Sequence, residues 1–292
     1  MRYVIINADG YGFTAGVTDA IEECIAFGTV RSLSANVNFD HANRLPALVR
    51  NYPDLAIGCH VNPVVGRPVL PATKVPTLLD DSGEFLYESF ARRFLAGHIN
   101  KSELRAEMVA QIEKTRDFAG SAFSHLDFHM GLHRLPGLYE QFLDIVESSS
   151  VRRMRTHRYL VGMESRYPRL THAVHMFKSP TRVPKFAWNL WLRRSALGRG
   201  LAMPDRRVEI TDMASKRDHL SVQSYLMMLR NLPLGISEFV AHPGYVDDQL
   251  RRWSSYLDQR VTEREILLSQ EFREALYTLS PRLTTYHDIP VE

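Results

Sequence analysis

Histidine and aspartate side chains follow several apolar stretches of the sequence that have the length of buried strands. Asp9 follows YVIINA, His60 follows LAIGC, and His242 follows ISEFVA. A fourth stretch, SHLDFHMGLH, contains a cluster of such residues: His125, Asp127, His129 and His133. Histidine and aspartate together are the usual ligands of a divalent metal ion of the zinc type. These residue types therefore indicate metal-assisted hydrolysis, provided that the fold brings them together.

A metal ion at such a site would polarise a carbonyl group and lower the pKa of a bound water, as hydrolysis of an amide or ester requires. An aspartate beside it could accept the proton of the water, and a histidine could protonate the leaving group. A metal-free alternative uses Asp9 and Asp127 as the carboxylate pair of a glycosidase. That chemistry requires a separation of about 5 Å or about 7–9 Å, which the sequence alone does not give.

Asp9 also has a simpler interpretation. Asp and Gly after a strand are ordinary turn residues, because Asp bonds its own backbone and Gly accepts a positive φ. The sequence NADGYG is equally suited to a tight turn that brings backbone and carboxylate close to a ligand. The residues on either side of Asp9 leave both roles open.

The elements that must position these residues alternate between strands and helices. Strands are predicted at YVIINA, VRSLSANVNF, LAIGCHVNP, VRRMRTH, ISEFVAHP and RLTTYHDI. Helices are predicted at GVTDAIEECIAFG, ANRLPALVRNYP, SELRAEMVAQIEKTRDFAG and PGLYEQFLDIVESS. This alternation predicts parallel strands with crossover helices, in an α/β barrel or a doubly wound sheet. In a barrel, groups at the carboxyl ends of the strands converge on one mouth.

The bulk properties are those of a single globular domain. The chain has 292 residues, 45% of them hydrophobic and 24% charged, and its net charge of +3 gives no case for nucleic acid. Cys24 and Cys59 form no CxxC motif and indicate reduced thiols. The amino terminus lacks a signal-peptide pattern, and no apolar run approaches the ~20 residues of a membrane span. We therefore expect a cytoplasmic protein.

Residues 160–205 interrupt the alternation. They carry many arginines and lysines, two tryptophans and several prolines. We expect an insertion or lid over the barrel, either with its basic residues simply solvated or as a surface that meets an anionic or lipid-linked substrate. A basic amphipathic helix with aromatic residues on its apolar side can lie in a membrane interface.

Five motifs in order resemble the YdjC/ChbG-like carbohydrate deacetylases. They are NAD-x-YG followed by a GV-x-x-AI helix, GCH at 58–60, HLDFHMGLHRLP, HPGY at 242–245, and an R-x-x-E helix before LTTYHDI. The resemblance runs from about residue 3 to 289 and is loose at 160–205. It implies a single-domain, distorted, TIM-like (β/α) barrel over residues 1–292, a divalent metal, and removal of an acetyl group from an N-acetylated sugar.

The resemblance also implies roles for individual residues. Asp9 matches the general base, His60 and His129 match the two metal histidines, and His242 matches the acid that protonates the departing amine. Arg155 matches a basic residue facing the cleft. Further substrate contacts are expected from Asp127, His125, His133 and Tyr245.

The chain departs from the family pattern at two places. The second Asp of NADD is Gly10, and the middle His of H-x-H-x-H is Gly131. Asp9 could therefore be the replacement metal ligand, with Asp127 or a water supplying the base. Alternatively, Asp9 remains the base and the third ligand comes from Asp127, His125 or His133. In a third interpretation the metal site is lost.

The sequence thus predicts a metal-dependent hydrolase for an acetylated amino sugar, presented as an oligosaccharide, a glycolipid or a carrier-linked sugar. One divalent ion is expected, zinc foremost, although magnesium, nickel, cobalt and manganese accept similar ligands. The alternative is a non-catalytic carbohydrate-binding barrel. The oligomeric state is not specified by the sequence.

Overall fold

The computed structural model describes residues 1–209 and 220–291, and these contain an eight-stranded, all-parallel sheet. Its strands are β1 (Arg2–Tyr11), β2 (Ser32–Ala35), β3 (Ala56–Val61), β4 (Phe123–Phe128), β5 (Tyr159–Val161), β6 (Arg206–Glu209), β7 (Gly235–Ala241) and β8 (Arg282–Thr284). The strand order is β4-β3-β2-β1-β7-β6-β5, with β8 paired to β1. The predicted α/β class with parallel strands is confirmed.

β1 is the central strand. One of its edges pairs with β7 over residues 2–8. Its other edge is shared, because residues 3–5 pair with β8 and residues 7–11 pair with β2. Eight of its ten residues are buried, as expected for a strand covered on both faces.

The helices follow the strands as crossover connections. They are α1 (Ala15–Phe27), α2 (Leu45–Asn51), α3 (Phe90–Leu95), α4 (Lys101–Ala119), α5 (Leu138–Ser148), α6 (Pro168–Phe177), α7 (Arg182–Gly198), α8 (Val222–Asn231), α9 (Asp248–Trp253), α10 (Asp258–Leu267) and α11 (Gln270–Thr278). The predicted end of α1 is confirmed, since Gly28 caps it with φ of 91° and donates to the carbonyl of Cys24. None of these helices is long and apolar enough to cross a membrane, among the residues described.

The predicted strand at VRRMRTH is wrong in detail. Only isolated parallel bridges form there, from Arg153 to Ala202 and from Met154 to Leu126 of β4. The N–H of Leu126 donates to the Arg153 carbonyl over 3.0 Å, and that of Arg155 donates to the Leu126 carbonyl over 3.1 Å. The segment pairs with each of its two neighbours over only about one residue, so no continuous β-ladder forms. The segment thus bridges β4, one end strand of the sheet, to Ala202 ahead of β6, and among the described residues no continuous ladder joins β4 to β5 at the other end.

The expected insertion at 160–205 begins inside the sheet. Its first two residues complete β5, which pairs with β6, and the segment then forms α6 and α7. α7 is attached to the loop after β4, because Trp188 Nε1 donates to the carbonyl of Arg134 over 3.1 Å. The two helices thus stand beside the carboxyl end of β4.

Candidate active site

The carboxyl half of β1 contains a bulge that positions Asp9. The pairing of β1 with β2 shifts between Asp9 and Tyr11, and Gly10 between them has φ of 100°. The buried Asp9 carboxylate accepts from Asn7 Nδ2 over 2.8 Å and from Arg155, rather than bonding its own backbone. The turn interpretation of Asp9 is therefore wrong.

Arg155 joins three buried carboxylates. Its two terminal nitrogens bind both oxygens of Asp9, at 2.7 and 2.6 Å. Nη1 also lies 2.6 Å from Asp127 Oδ2, and Nε donates to Glu238 Oε1 over 2.8 Å. Bidentate guanidinium–carboxylate pairing of this kind fixes geometry as well as charge. The bridge of residue 154 to β4 is what brings this arginine to the end of β1.

The cluster sets one guanidinium against carboxyl groups whose pKa values shift in opposite directions. Burial alone would raise the pKa values of Asp9 and Asp127, but the Arg155 guanidinium and the nearby His60 hold both pKa values below their usual range. Burial raises the pKa of Glu238, with Asp9 adding to the rise. One guanidinium thus faces three carboxyl groups. Positive charge beside Asp9 and Asp127 is favourable here, because uncompensated buried charge is costly, and the nearby His60 can supply part of it.

His60 and His129 complete the inner part of the site. His60 Nδ1 lies 2.9 Å from Asp127 Oδ1, which leaves its Nε2 for another partner. Burial lowers the pKa of His60, but Asp127 and Asp9 outweigh this effect and the pKa is raised. The ring of His129 lies 5.2 Å from that of His60 and edge-on to it. Burial lowers the pKa of His129 to about 3, so this imidazole is neutral at pH 7.

His242 stands on the other side of Asp9. Its Nε2 lies 3.9 Å from Asp9 Oδ2, and its backbone N–H donates to Glu263 Oε2 over 2.6 Å. Burial lowers the pKa of His242 to about 4, against the opposing effect of Asp9. A neutral imidazole at this place can accept a proton before it donates one.

These groups open into a cavity of about 760 Å³. The structure brings the following predicted residues to its lining: Asp9, His60, His129, His133, Arg155 and His242. Such a volume is typical of a small-molecule site. Asp127 lies behind this wall and reaches the cavity only through His60 and Arg155.

Two expected substrate contacts lie elsewhere. His125 is fully buried, stacks on Tyr286 at 3.5 Å and bonds to Ser124. It precedes Asp127 by two residues on the same strand face, one layer deeper in the barrel. The Tyr245 hydroxyl donates to Glu23 over 2.8 Å, outside the cavity lining.

The glycosidase alternative does not fit this geometry. Arg155 Nη1 contacts both Asp9 and Asp127, at 2.7 and 2.6 Å, so a guanidinium bridges the two carboxylates. A glycosidic bond cannot occupy that space, and Asp127 is not part of the cavity wall.

A family model described as YdjC-like protein matches residues 3–278 of the chain. The chain belongs to the YdjC-like family. The YdjC-like chain is 27% identical to a carbohydrate deacetylase of Thermoanaerobacter pseudethanolicus, covering 98% of both chains. It is also 27% identical to a chitooligosaccharide deacetylase of Yersinia enterocolitica, covering 98% of this chain and 99% of that one.

A solved structure agrees with the fold of this YdjC-like protein. It comes from Enterococcus faecalis V583 and is described as a provisionally assigned cellobiose-phosphate cleavage protein. The two chains are 25% identical and superpose with a TM-score of 0.71, over 98% of this chain and 97% of the other. The resemblance to the family that the motifs indicate is confirmed.

The donor atoms of this YdjC-like site suit a metal ion. Asp9, His60 and Asp127 are buried, and their ligand atoms lie within 4.8 Å of one another, so the three could hold a cation. Asp9 and Asp127, whose pKa values are both lowered, share one guanidinium, so a cation bound between them would be stabilised. Gly10 supplies no ligand, and its φ of 100° would strain any side chain placed there. The set therefore fits a metal ion bound without the second aspartate of the family motif.

Sequence reasoning missed several polar groups of the site. Glu238 interrupts the apolar stretch ISEFVA, and Asn7 interrupts YVIINA. A polar residue within a strand that is otherwise buried is the signal that identifies them. Arg260 and Glu263 belong to the R-x-x-E motif, but their i, i+3 spacing does not reveal that one lines the cavity and the other holds the backbone of His242.

Proposed function

We propose that this YdjC-like protein is a metal-dependent hydrolase that removes the acetyl group from an N-acetylated amino sugar. The observation that carries this proposal is the buried Asp9–His60–Asp127 group at the base of the cavity, with His242 beside it. The deacetylase names of the two relatives supply the substrate class. Zinc is the metal we favour, since a carboxylate with imidazoles is its typical catalytic ligand set.

We assign the metal to His60 and Asp9 of this group, with Asp9 in place of the missing second aspartate. His129 lies outside the group, with its ring 5.2 Å from that of His60, and we propose it as the further ligand. Asp127 would orient His60, because its bond to Nδ1 leaves Nε2 as the nitrogen that could hold an ion, as carboxylates commonly do behind metal-binding histidines. When bound, the ion polarises the acetyl carbonyl and makes water acidic enough to attack. Arg155 holds Asp9 ionised and fixes its orientation.

His242 carries out the proton transfers in this proposal. Because its pKa is about 4, the ring is neutral at pH 7 and accepts a proton released by the attacking water. It then donates that proton to the amine nitrogen as the bond to the acetyl carbon breaks. Asp9, 3.9 Å away, stabilises the imidazolium formed in between. The products are acetate and the free amino sugar.

A second candidate has a specific observation in its favour. Both Asp9 oxygens already bind Arg155, and Gly10 supplies no carboxylate, so a carbohydrate-binding barrel without metal remains as the alternative. In that case the cavity recognises the sugar, and Arg155 balances the carboxylates permanently.

Acetate release separates the two candidates. The protein, loaded with zinc, is incubated with N-acetylglucosamine oligosaccharides and glycolipids, and acetate is measured with and without a chelator. Metal-dependent release that is lost in His60→Ala supports the enzyme. Sugar binding without release, at equal affinity in His60→Ala, supports the binding barrel.

A further inference from the structure

The α6–α7 segment, residues 165–204, has an unusual charge pattern. Its forty residues include arginines and lysines throughout but no aspartate or glutamate. Five of these basic residues are exposed: Arg166, Arg169, Lys178, Lys185 and Arg194. The segment therefore presents a one-sided positive field that would attract an anionic surface.

The same segment exposes an apolar stripe. Leu170, Val174 and Phe177 recur at spacings of four and three residues, so they share one face of α6, and Tyr167 lies at the N-cap just before it. The exposed fractions of these four side chains, in that order, are 63%, 51%, 81% and 61%. An amphipathic helix of a globular domain ordinarily packs such a stripe on the core, whereas α6 turns it to solvent.

α7 adds aromatic residues to this surface. Trp191 is 48% exposed and stacks on Trp188, with ring centroids 4.8 Å apart. Trp188 is held in place by its bond to the Arg134 carbonyl. Tryptophan is favoured where an apolar phase meets water, because its ring is apolar and its N–H needs a polar partner.

We propose that the exposed face of α6 and α7 docks on an anionic lipid surface. Apolar side chains would enter the acyl boundary while the basic residues contact acidic head groups, the arrangement of an interfacial amphipathic helix. The absence of any acidic residue over 165–204 favours lipid head groups over a mixed-charge protein interface. α6 has ten residues, enough to lie along a bilayer surface.

The docking face is continuous with the cavity. His175 of α6, and Arg182 and Lys185 of α7, line it. Docking would therefore place the rim of the cavity at the lipid head groups. This part of the inference rests on the function proposed above: the acetylated amino sugar would be the head group of a membrane lipid.

Vesicle flotation tests the docking without any turnover. The intact protein is mixed with phosphatidylcholine vesicles, or with vesicles that also contain phosphatidylglycerol, and the bound fraction is measured at low and high salt. We expect binding to the anionic vesicles only, weakening as salt screens the charges. Equal binding to both vesicles, or binding to neither, would overturn the proposal.

Two pairs of variants locate the surface. Phe177→Ser is expected to weaken vesicle binding about tenfold or more, whereas Leu234→Ser, at an exposed leucine outside the segment, leaves it unchanged. Arg169→Glu is expected to weaken it similarly, and the exposed Arg251→Glu provides the control. Wild-type binding in Phe177→Ser and Arg169→Glu would refute the assignment. So would self-association that these variants abolish, without vesicle binding.

Acetate release tests separately whether the substrate is a lipid. Acetate release from an N-acetylglucosaminyl lipid in anionic vesicles should fall in Phe177→Ser, while release from a soluble oligosaccharide stays at the wild-type rate. Equal losses of acetate release from both substrates would contradict the proposal that docking brings the lipid substrate to the cavity. Vesicle binding with no acetate from either substrate leaves the docking in place and refutes the proposed enzyme.

Discussion

At the scale of single residues, Arg155 determines what the site can do. Its guanidinium binds Asp9 through both oxygens and also contacts Asp127 and Glu238. Asp9 is thereby fixed in the ionised form, in one orientation, beside His60 and His242. The same contacts occupy Asp9 oxygens that a metal ion would use, so the arginine and the metal share a ligand.

Removing this arginine should strongly destabilise the fold. Arg155→Met leaves three buried carboxyl groups without their common partner, and we expect a loss of about 3–5 kcal/mol in the free energy of unfolding. Arg199→Met is the control. Its partners Glu140 and Asp144 are about half exposed, so each of these two ion pairs contributes less than about 1 kcal/mol. Urea denaturation measures both. Equal losses would show that the buried cluster has no special role.

The role of His242 is tested by turnover and metal content together. His242→Ala should retain the metal but lower turnover by on the order of 10² or more, as for loss of a proton-transfer group. The exposed His98→Ala controls for unspecific effects. If His242→Ala turns over as fast as the wild type, the proton transfers belong to another residue.

At the scale of elements, the bulge in β1 sets the backbone conformation at the position where the chain departs from the family motif. Gly10 has φ of 100°, yet a Cβ there would meet only ordinary contacts, 3.6 Å from Val17 and 3.9 Å from Phe13. Space for a side chain exists, and only the backbone conformation opposes it.

The Gly10→Asp variant should therefore bind zinc more tightly than Gly10→Asn, which carries a neutral side chain of similar size. Both Gly10→Asp and Gly10→Asn carry the backbone strain, roughly 1–3 kcal/mol, but only the aspartate adds a charged ligand. We expect roughly tenfold or more tighter zinc binding in Gly10→Asp, measured by competition with a chromophoric chelator. Equal affinities in the two variants would mean that position 10 does not face the ion.

α10 acts on the site through Glu263. Burial raises the pKa of Glu263 to about 7, while its carboxylate accepts from the His242 backbone and from the Tyr256 hydroxyl. In the unfolded chain this carboxyl loses its proton near the ordinary glutamate pKa of 4.5. Between those values the native state holds a proton on Glu263 that the unfolded state has lost, so the contribution of Glu263 to the free energy of unfolding falls as pH rises from about 4.5 to about 7.

Glu263→Gln should flatten that decline. Free energies of unfolding at pH 5 and pH 7.5 are compared for the wild type, for Glu263→Gln and for the exposed Glu265→Gln of the same helix. We expect the difference between the two pH values to shrink in Glu263→Gln alone. An unchanged difference would mean that Glu263 is already ionised in the fold at pH 5.

The sequence predicts elements better than their contacts. Buried strands such as LAIGCHVNP are recognisable because both of their faces are apolar, and α1 is recognisable by Gly28. The VRRMRTH segment has the pattern of a strand, but each of its neighbours extends alongside it for only about one residue. His125 and Asp127 share a strand face and look equivalent in the sequence. Only their depth in the barrel distinguishes them: His125 belongs to the core, whereas Asp127 holds His60.

At the scale of the whole molecule, one cavity joins the barrel mouth to α6 and α7. The barrel supplies buried carboxylates and imidazoles, and the two helices supply basic side chains at the rim. The family resemblance predicts Arg155 at the cleft, but no local pattern could predict its contacts with three carboxyl groups, because it reaches them through a single bridge to β4. The proposed hydrolase requires that a divalent ion bind beside Asp9 and His60.

Metal content tests that requirement most directly. The protein is purified without chelator or nickel affinity, and its metals are counted by mass spectrometry, before and after reconstitution with zinc. We predict about one equivalent of a divalent ion per chain. No bound metal, even after reconstitution, would contradict the proposed hydrolase and leave the carbohydrate-binding barrel as the function of this fold.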